Sequence, residues 1–290
     1  MAQIQWFPGH MAKARRQVEE KLPIVDIVFV LLDARIPKAS ENPMLFDIIK
    51  DKPILYILNK SDLADETELK KWMAYYKKQG INAVAVNSLT GDSSKVIVPV
   101  AKQILSPLFE KEAKKGMKSR PFRAMVVGIP NVGKSAFINR LAKRPAAQTG
   151  DKPGVTKAQK YIRVDEDLEL LDNPGILWPK FEDPEVGLKL ALVGSIKDEI
   201  IPIDDIALYG LRYLSENYPG RVESRFSIPP IDPNNLVETL DQIGLKRGAL
   251  LPGKQVDYDR VIKLFLYEFR NEKFGRICLE KAPSDVSVRA

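Results

Sequence analysis

Asn59-Lys60-Ser61-Asp62 stands ahead of Gly128-Ile129-Pro130-Asn131-Val132-Gly133-Lys134-Ser135 in this chain, and that order decides how the fold is read. The second stretch is a phosphate-cradling loop, whose glycines let backbone NH groups converge on a β-phosphate while the helix after it adds a favourable dipole. The first is a purine reader. A carboxylate at Asp62 accepts from both N1-H and the 2-amino group of guanine; adenine offers no such pair, and the unsatisfied charge costs about 1 to 3 kcal/mol or more. Lys60 lays its methylene stem along the base, and Asn59 ties this loop to the phosphate loop. In the usual arrangement the phosphate loop leads and the base reader follows near the end. Here the domain is cut and rejoined, with the old termini fused internally.

Working outward, each motif begins directly after an apolar run. Residues 27–32, 54–58, 83–86, 125–127 and 168–171 read as mostly buried strands. Helix-like spacing occupies 67–79, 96–111 and 134–143. The alternation predicts an α/β fold with a mainly parallel sheet and helices on both faces, its ligand beyond the carboxyl ends of the strands. The charged stretch from Lys111 to Pro121 is the seam of the permutation. After Pro179 the pattern changes to amphipathic helices at 188–193, 206–214, 236–243 and 261–269 without strands between them, which predicts a small all-α domain. The chain therefore divides into a basic amino-terminal arm (1–20), a permuted nucleotide-binding domain (21–180) and a helical region (181–290), the second domain itself starting near Pro184.

The remaining chemistry follows from position. Lys134 should reach the β and γ oxygens, Ser135 should ligate Mg²⁺, and the NH of Ala136 should reach the α-phosphate, with Gly128, Asn131, Val132 and Gly133 shaping the cradle. Asp172-Asn173-Pro174-Gly175 follows the strand 168–171, so that Asp172 holds the metal through water and the NH of Gly175 senses the γ-phosphate. Thr156 is the switch-threonine candidate that completes the metal shell. Asn87-Ser88 supplies the remaining base contact through backbone NH. Alone, Asp-x-x-Gly is a turn and Asn-Lys-Ser-Asp a helix cap; their order along the chain gives them weight.

Composition bounds the setting. The 290 residues are 44% hydrophobic and 29% charged, with a net charge of +7. The basic surplus lies in the nucleotide-binding part and its arm, with clusters at Lys111–Arg123 and Arg140–Arg163 that suit a polyanion larger than a nucleotide. A single cysteine, Cys278, excludes an internal disulfide framework and fits a reducing cytoplasm. The start lacks the pattern of a signal peptide, and the longest apolar run is far too short to span a bilayer. Neither DNA nor a membrane is expected as partner.

Trp6-Phe7-Pro8-Gly9-His10-Met11-Ala12-Lys13-Ala14, Asp33-Ala34-Arg35-Ile36-Pro37, the phosphate loop and Pro174-Gly175-Ile176-Leu177-Trp178-Pro179-Lys180-Phe181 resemble the circularly permuted GTPases, and among them the bacterial ribosome biogenesis GTPase A family, over essentially the whole chain. Asn173 stands where threonine is usual, and Ala136-Phe137 replaces Thr-Leu; neither removes a group on which the chemistry depends. The resemblance implies GTP hydrolysis to GDP in late maturation of the large (50S) ribosomal subunit, stimulated by the particle. It also implies ribosomal RNA and proteins as partners and an RNA-binding helical domain. Ile176 stands where many GTPases carry a water-orienting glutamine, and the resemblance implies that this is normal. Intrinsic turnover should then be slow, on the order of 10⁻⁴ to 10⁻² s⁻¹. Two compensations suggest themselves. Asn131 resembles the asparagine that binds K⁺ in related GTPases. His10, the only histidine, can orient water if the arm folds over the switches, or serve as an RNA contact or helix-start residue. The competing reading is an RNA-binding scaffold whose nucleotide stabilises the fold without turning over.

Overall fold

Strand β1 (Ile27–Asp33) has all seven residues buried, as a strand must when helices cover both faces of its sheet. Around it lie β2 (Ile54–Asn59), β3 (Ala83–Ala85), β4 (Phe122–Gly128), β5 (Tyr161–Arg163) and β6 (Leu168–Leu171) in the order β3-β2-β1-β4-β6-β5. Every pairing is parallel except β5 with β6. The computed structural model describes residues 8–49, 52–90, 92–145, 161–171, 183–198 and 201–283, the side chains of 8–14 excepted. The mainly parallel α/β architecture expected from the alternation is the one adopted. Strand β5 was not foreseen, because three residues with only Ile162 buried carry no periodic signal.

The register explains why the two motifs meet. Asp33 pairs with Asn59 on one side of β1, and Leu31 pairs with Gly128 on the other. The base reader and the phosphate loop therefore leave the sheet at one carboxyl edge, with the end of β1 between them. Helices α1 (Pro8–Lys21), α2 (Pro43–Ile49), α3 (Glu66–Lys78), α4 (Ser94–Ile104), α5 (Ser106–Lys114) and α6 (Lys134–Ala142) complete this part. The single helix expected over 96–111 is two. Pro107 lies in the first turn of α5; it has no NH to donate to the Gln103 carbonyl and its ring would crowd that carbonyl in one unbroken helix, so the chain turns at Leu105. Between α5 and β4, Arg120 donates from both terminal nitrogens to Asp26 at 2.8 and 2.9 Å and to Glu112 at 2.7 Å, which fixes the seam of the permutation to the start of β1.

The chain forms two compact units, Met1–Lys180 with Glu280–Ala290, and Phe181–Leu279. Whereas the helical region was drawn from the sequence to 290, the residues from Glu280 group with the sheet. The Glu280 carboxylate accepts from the NH groups of Lys38 and Ala39 at 2.6 and 3.0 Å, and Trp72 Nε1 donates to its carbonyl at 3.2 Å. Trp72 and Tyr76 form the buried face of α3, and Asp65 caps that helix by accepting from Glu68 N. Tyr76 also packs edge-on against Tyr56 of β2.

The second unit holds α7 (Pro184–Leu192), α8 (Ile203–Asn217), α9 (Arg221–Phe226), α10 (Leu236–Arg247) and α11 (Tyr258–Arg270). Four of these match the expected helices; α9, only six residues long, was not foreseen. Leu190, Leu211, Phe226, Phe265 and Phe269 fill the core. A Cβ on Gly210 of α8 would lie 3.0 Å from both Leu192 and Phe265, so glycine there lets α8 approach them closely. No described helix is long and apolar enough to cross a membrane.

Candidate nucleotide-binding site

Asn59, 1% exposed, ends β2 and ties three loops with one side chain. Its Nδ2 donates to Val132 O of the phosphate loop at 2.8 Å. Its Oδ1 accepts from Ser88 Oγ at 2.6 Å and from Ser88 N at 3.3 Å. Lys60 follows in the left-handed region, with φ of 58°, and its Nζ donates to Asn131 O and to Asp33 Oδ2, each at 2.9 Å. Ser61 N donates to Val86 O at 3.1 Å, pinning the base reader to the residue after β3. Asp62 is half-buried, and its carboxylate accepts no hydrogen bond among the described residues. Both of its oxygens are thus available to a base.

The phosphate loop links β4 to α6 through Asn131 at φ 55° and Gly133 at φ 97°. A Cβ on Gly128 would lie 2.7 Å from Leu31 O, and one on Gly133 would lie 2.5 Å from Asn59 Nδ2. Both glycines are therefore required by close approach, and Gly133 by its backbone angle as well. Gly133→Ala is expected to cost about 1–3 kcal/mol from backbone conformation alone, and more if Asn59 is driven off Val132. Urea unfolding of the ligand-free protein measures this, and an unchanged midpoint would contradict the close approach. Lys134 folds back over the loop, its Nζ donating to Ile129 O at 2.7 Å and Gly128 O at 3.2 Å. Val132 is fully buried, whereas Ser135 and Ala136 lie partly exposed in the first turn of α6.

The other expected residues fall partly within the described structure. The NH of Ser88 is engaged by Asn59, and Asn87 Oδ1 accepts from Leu89 N at 2.8 Å and Thr90 N at 3.3 Å. These bonds hold the Asn87-Ser88 loop against the base reader. Thr156, Asp172 and Gly175 lie outside the described residues; β6 ends at Leu171, one residue short of Asp172. His10 falls in the first turn of α1, and its side chain lies outside the described set. Asp33, in contrast, had entered only as part of a resemblance. It is fully buried, and its carboxylate accepts from Arg35 Nε at 2.9 Å, Arg35 Nη2 at 2.8 Å and Lys60 Nζ. Burial alone would push this carboxyl up; the Arg35 and Lys60 cations and their hydrogen bonds outweigh that and hold it well below the usual carboxylate range.

A family model described as 50S ribosome-binding GTPase matches residues 123–217. Ribosome biogenesis GTPase A of Bacillus licheniformis is 52% identical over 283 residues, covering 98% of this chain and 99% of that protein. The chain belongs to the ribosome biogenesis GTPase A family. Two solved structures, a crystal structure of GNP-bound YlqF from T. maritima and a GDP-bound structure of TM YlqF, superpose with a TM-score of 0.66 at 28% identity. The first covers 94% of this chain and all of that one. This ribosome biogenesis GTPase thus hydrolyses GTP to GDP and phosphate. GTPases generally use Mg²⁺, which neutralises charge developing on the β and γ oxygens. Ser135 fits as a ligand: its hydroxyl stands next to Lys134 in the first turn of α6 and makes no hydrogen bond among the described residues.

Proposed function

We propose that this GTPase is a switch in late maturation of the large ribosomal subunit in the cytoplasm, with hydrolysis stimulated by the particle itself. The observation that carries the nucleotide-dependent part is the Asn59 staple, which joins the two motifs into one pocket despite their reversed order. In that pocket Asp62 and Lys60 read guanine, Gly128 to Ala136 bind the phosphates, and Ser135, Thr156 and Asp172 hold Mg²⁺, the last through water. Gly175 senses the γ-phosphate. The second unit is the RNA-binding part. In favour of this, Lys246, Arg247, Lys254, Arg260 and Lys263 are all exposed along α10, α11 and their connection, interspersed with the exposed Leu245 and Tyr267. Ribosomal RNA and ribosomal proteins are the partners. Hanging that unit directly on the segment after Asp172 lets loss of the γ-phosphate act on an RNA-binding surface.

Because Ile176 offers no polar group to orient water, charge and water placement come from elsewhere: K⁺ bound beside Asn131, and the neutral imidazole of His10. One experiment tests these claims, GTP hydrolysis by the full-length protein with and without purified large subunits, in Na⁺ and in K⁺. Slow turnover alone and acceleration by particles in K⁺ are expected. Equal rates in the two salts would remove the K⁺ site, and indifference to particles would favour a scaffold role. In the same assay His10→Ala is expected to lose particle-stimulated turnover while keeping its GDP affinity; normal stimulated turnover would dismiss the histidine.

A further inference from the structure

Asp33 occupies the carboxyl end of β1, between the strands that carry the two motifs. Its carboxylate faces two cations. Arg35 takes both oxygens, with Nε on Oδ1 at 2.9 Å and Nη2 on Oδ2 at 2.8 Å, and Lys60 Nζ shares Oδ2 at 2.9 Å. The backbone is held as tightly: Arg35 N donates to Oδ1 at 3.1 Å, and Asp33 N donates to Ser40 Oγ at 3.1 Å. The Asp33 and Arg35 side chains are 0% and 6% exposed. Lys60 is different, for its side chain is 23% exposed and its other partner, Asn131 O, is neutral.

A lysine stem carries many rotamers, and a stem that must lie flat along a base is useful only when its head is fixed. Among the described residues the only ion-pair partner of the Lys60 head is Asp33. We infer that Asp33 is a positioning residue for guanine-nucleotide binding, acting through Lys60 by anchoring its ammonium so that the methylene stem is set in advance as the platform for the base. This rests on reading residues 59–62 as the base reader. Arg35 has the complementary part of keeping Asp33 ionised and its oxygens directed; a bidentate guanidinium does this without closing Oδ2 to a second donor. A purely structural role would leave Arg35 and Asp33 stabilising the end of β1 with Lys60 as a bystander.

A double-mutant cycle on the full-length protein separates the two, read as the affinity and dissociation rate of a fluorescent GDP analogue for Asp33→Asn, Lys60→Met and the double variant. Asp33→Asn is expected to weaken binding on the order of tenfold, and the double variant is expected to bind no more weakly than Lys60→Met alone. Losses that multiply in the double variant would overturn the inference, as would an unchanged affinity in Asp33→Asn. If Lys60→Met itself binds as tightly as the parent, the base-reader reading falls, and the inference with it. Thermal midpoints of the ligand-free variants report folding separately. Should Asp33→Asn fail to fold because Arg35 is left uncompensated, the pair Asp33→Asn with Arg35→Gln removes both charges and carries the same cycle against Lys60→Met.

Discussion

Asp62→Asn is expected to weaken GDP binding by at least about 10²-fold and to turn the pocket toward xanthosine nucleotides. The carboxylate is half-buried and has no competing donor among the described residues, so two acceptor oxygens await two donors on one edge of the base. Guanine supplies N1-H and the 2-amino group. An amide keeps one acceptor but turns an NH₂ toward the other position, where guanine also has a donor and xanthine has a carbonyl. Hydrogen bonds to a charged group contribute about 1.5–3 kcal/mol each, and the amide forfeits one of them and faces a second donor. Because Asn59, Lys60 and Ser61 are held by Val132, Asp33, Asn131 and Val86 independently of Asp62, the loop should keep its course. Calorimetric titration with GDP, XDP and ADP measures the change. A variant that still prefers guanine to adenine as strongly as the parent would show that another group reads the base.

Lys134→Ala should leave the fold nearly intact and remove most of the hydrolysis, by about 10²- to 10³-fold, the scale seen when one preorganised donor is lost at a transition state. The ammonium rests on the carbonyls of Gly128 and Ile129 at the partly exposed mouth of the loop. Water can replace it there, so the stability cost should stay within about 1 kcal/mol. No water can replace it against a γ-phosphate gathering charge. Single-turnover hydrolysis at saturating GTP separates this loss from weaker binding, and a rate within tenfold of the parent would deny the lysine its role.

How much of this was legible in the linear chain varies by element. The near-continuous apolar runs at Ile27–Leu32 and Ile54–Leu58 are legible because strands buried on both faces need no alternation. Tyr161–Arg163 is too short to carry a pattern, and it joins the sheet only because β6 offers an antiparallel edge. The break in the helix expected over 96–111 was written in Pro107, yet apolar periodicity runs through it and outweighs one residue. In the site, the phosphate loop is legible because backbone NH groups and glycines do their work locally. The course of the Ser88 NH is not: Asn59 captures it from a different strand. Asp33 and Glu280 escaped for the same reason. Each looks like one acid among 38 until folding places Lys60, Lys38 and Ala39 against it.

The sequence by itself determined the alternation of strand and helix, the reversed succession of the two motifs and the chemistry each can perform, because all three depend on residues adjacent along the chain. Tertiary structure alone decided that the end of β1 lies between the motifs, that its buried aspartate holds the lysine of the base reader, and that the chain returns at Glu280 to cap the Lys38–Ala39 backbone. Strand order and side-chain hydrogen bonds across it are set by which surfaces pack, and packing joins residues whose separation in sequence carries no periodic signal.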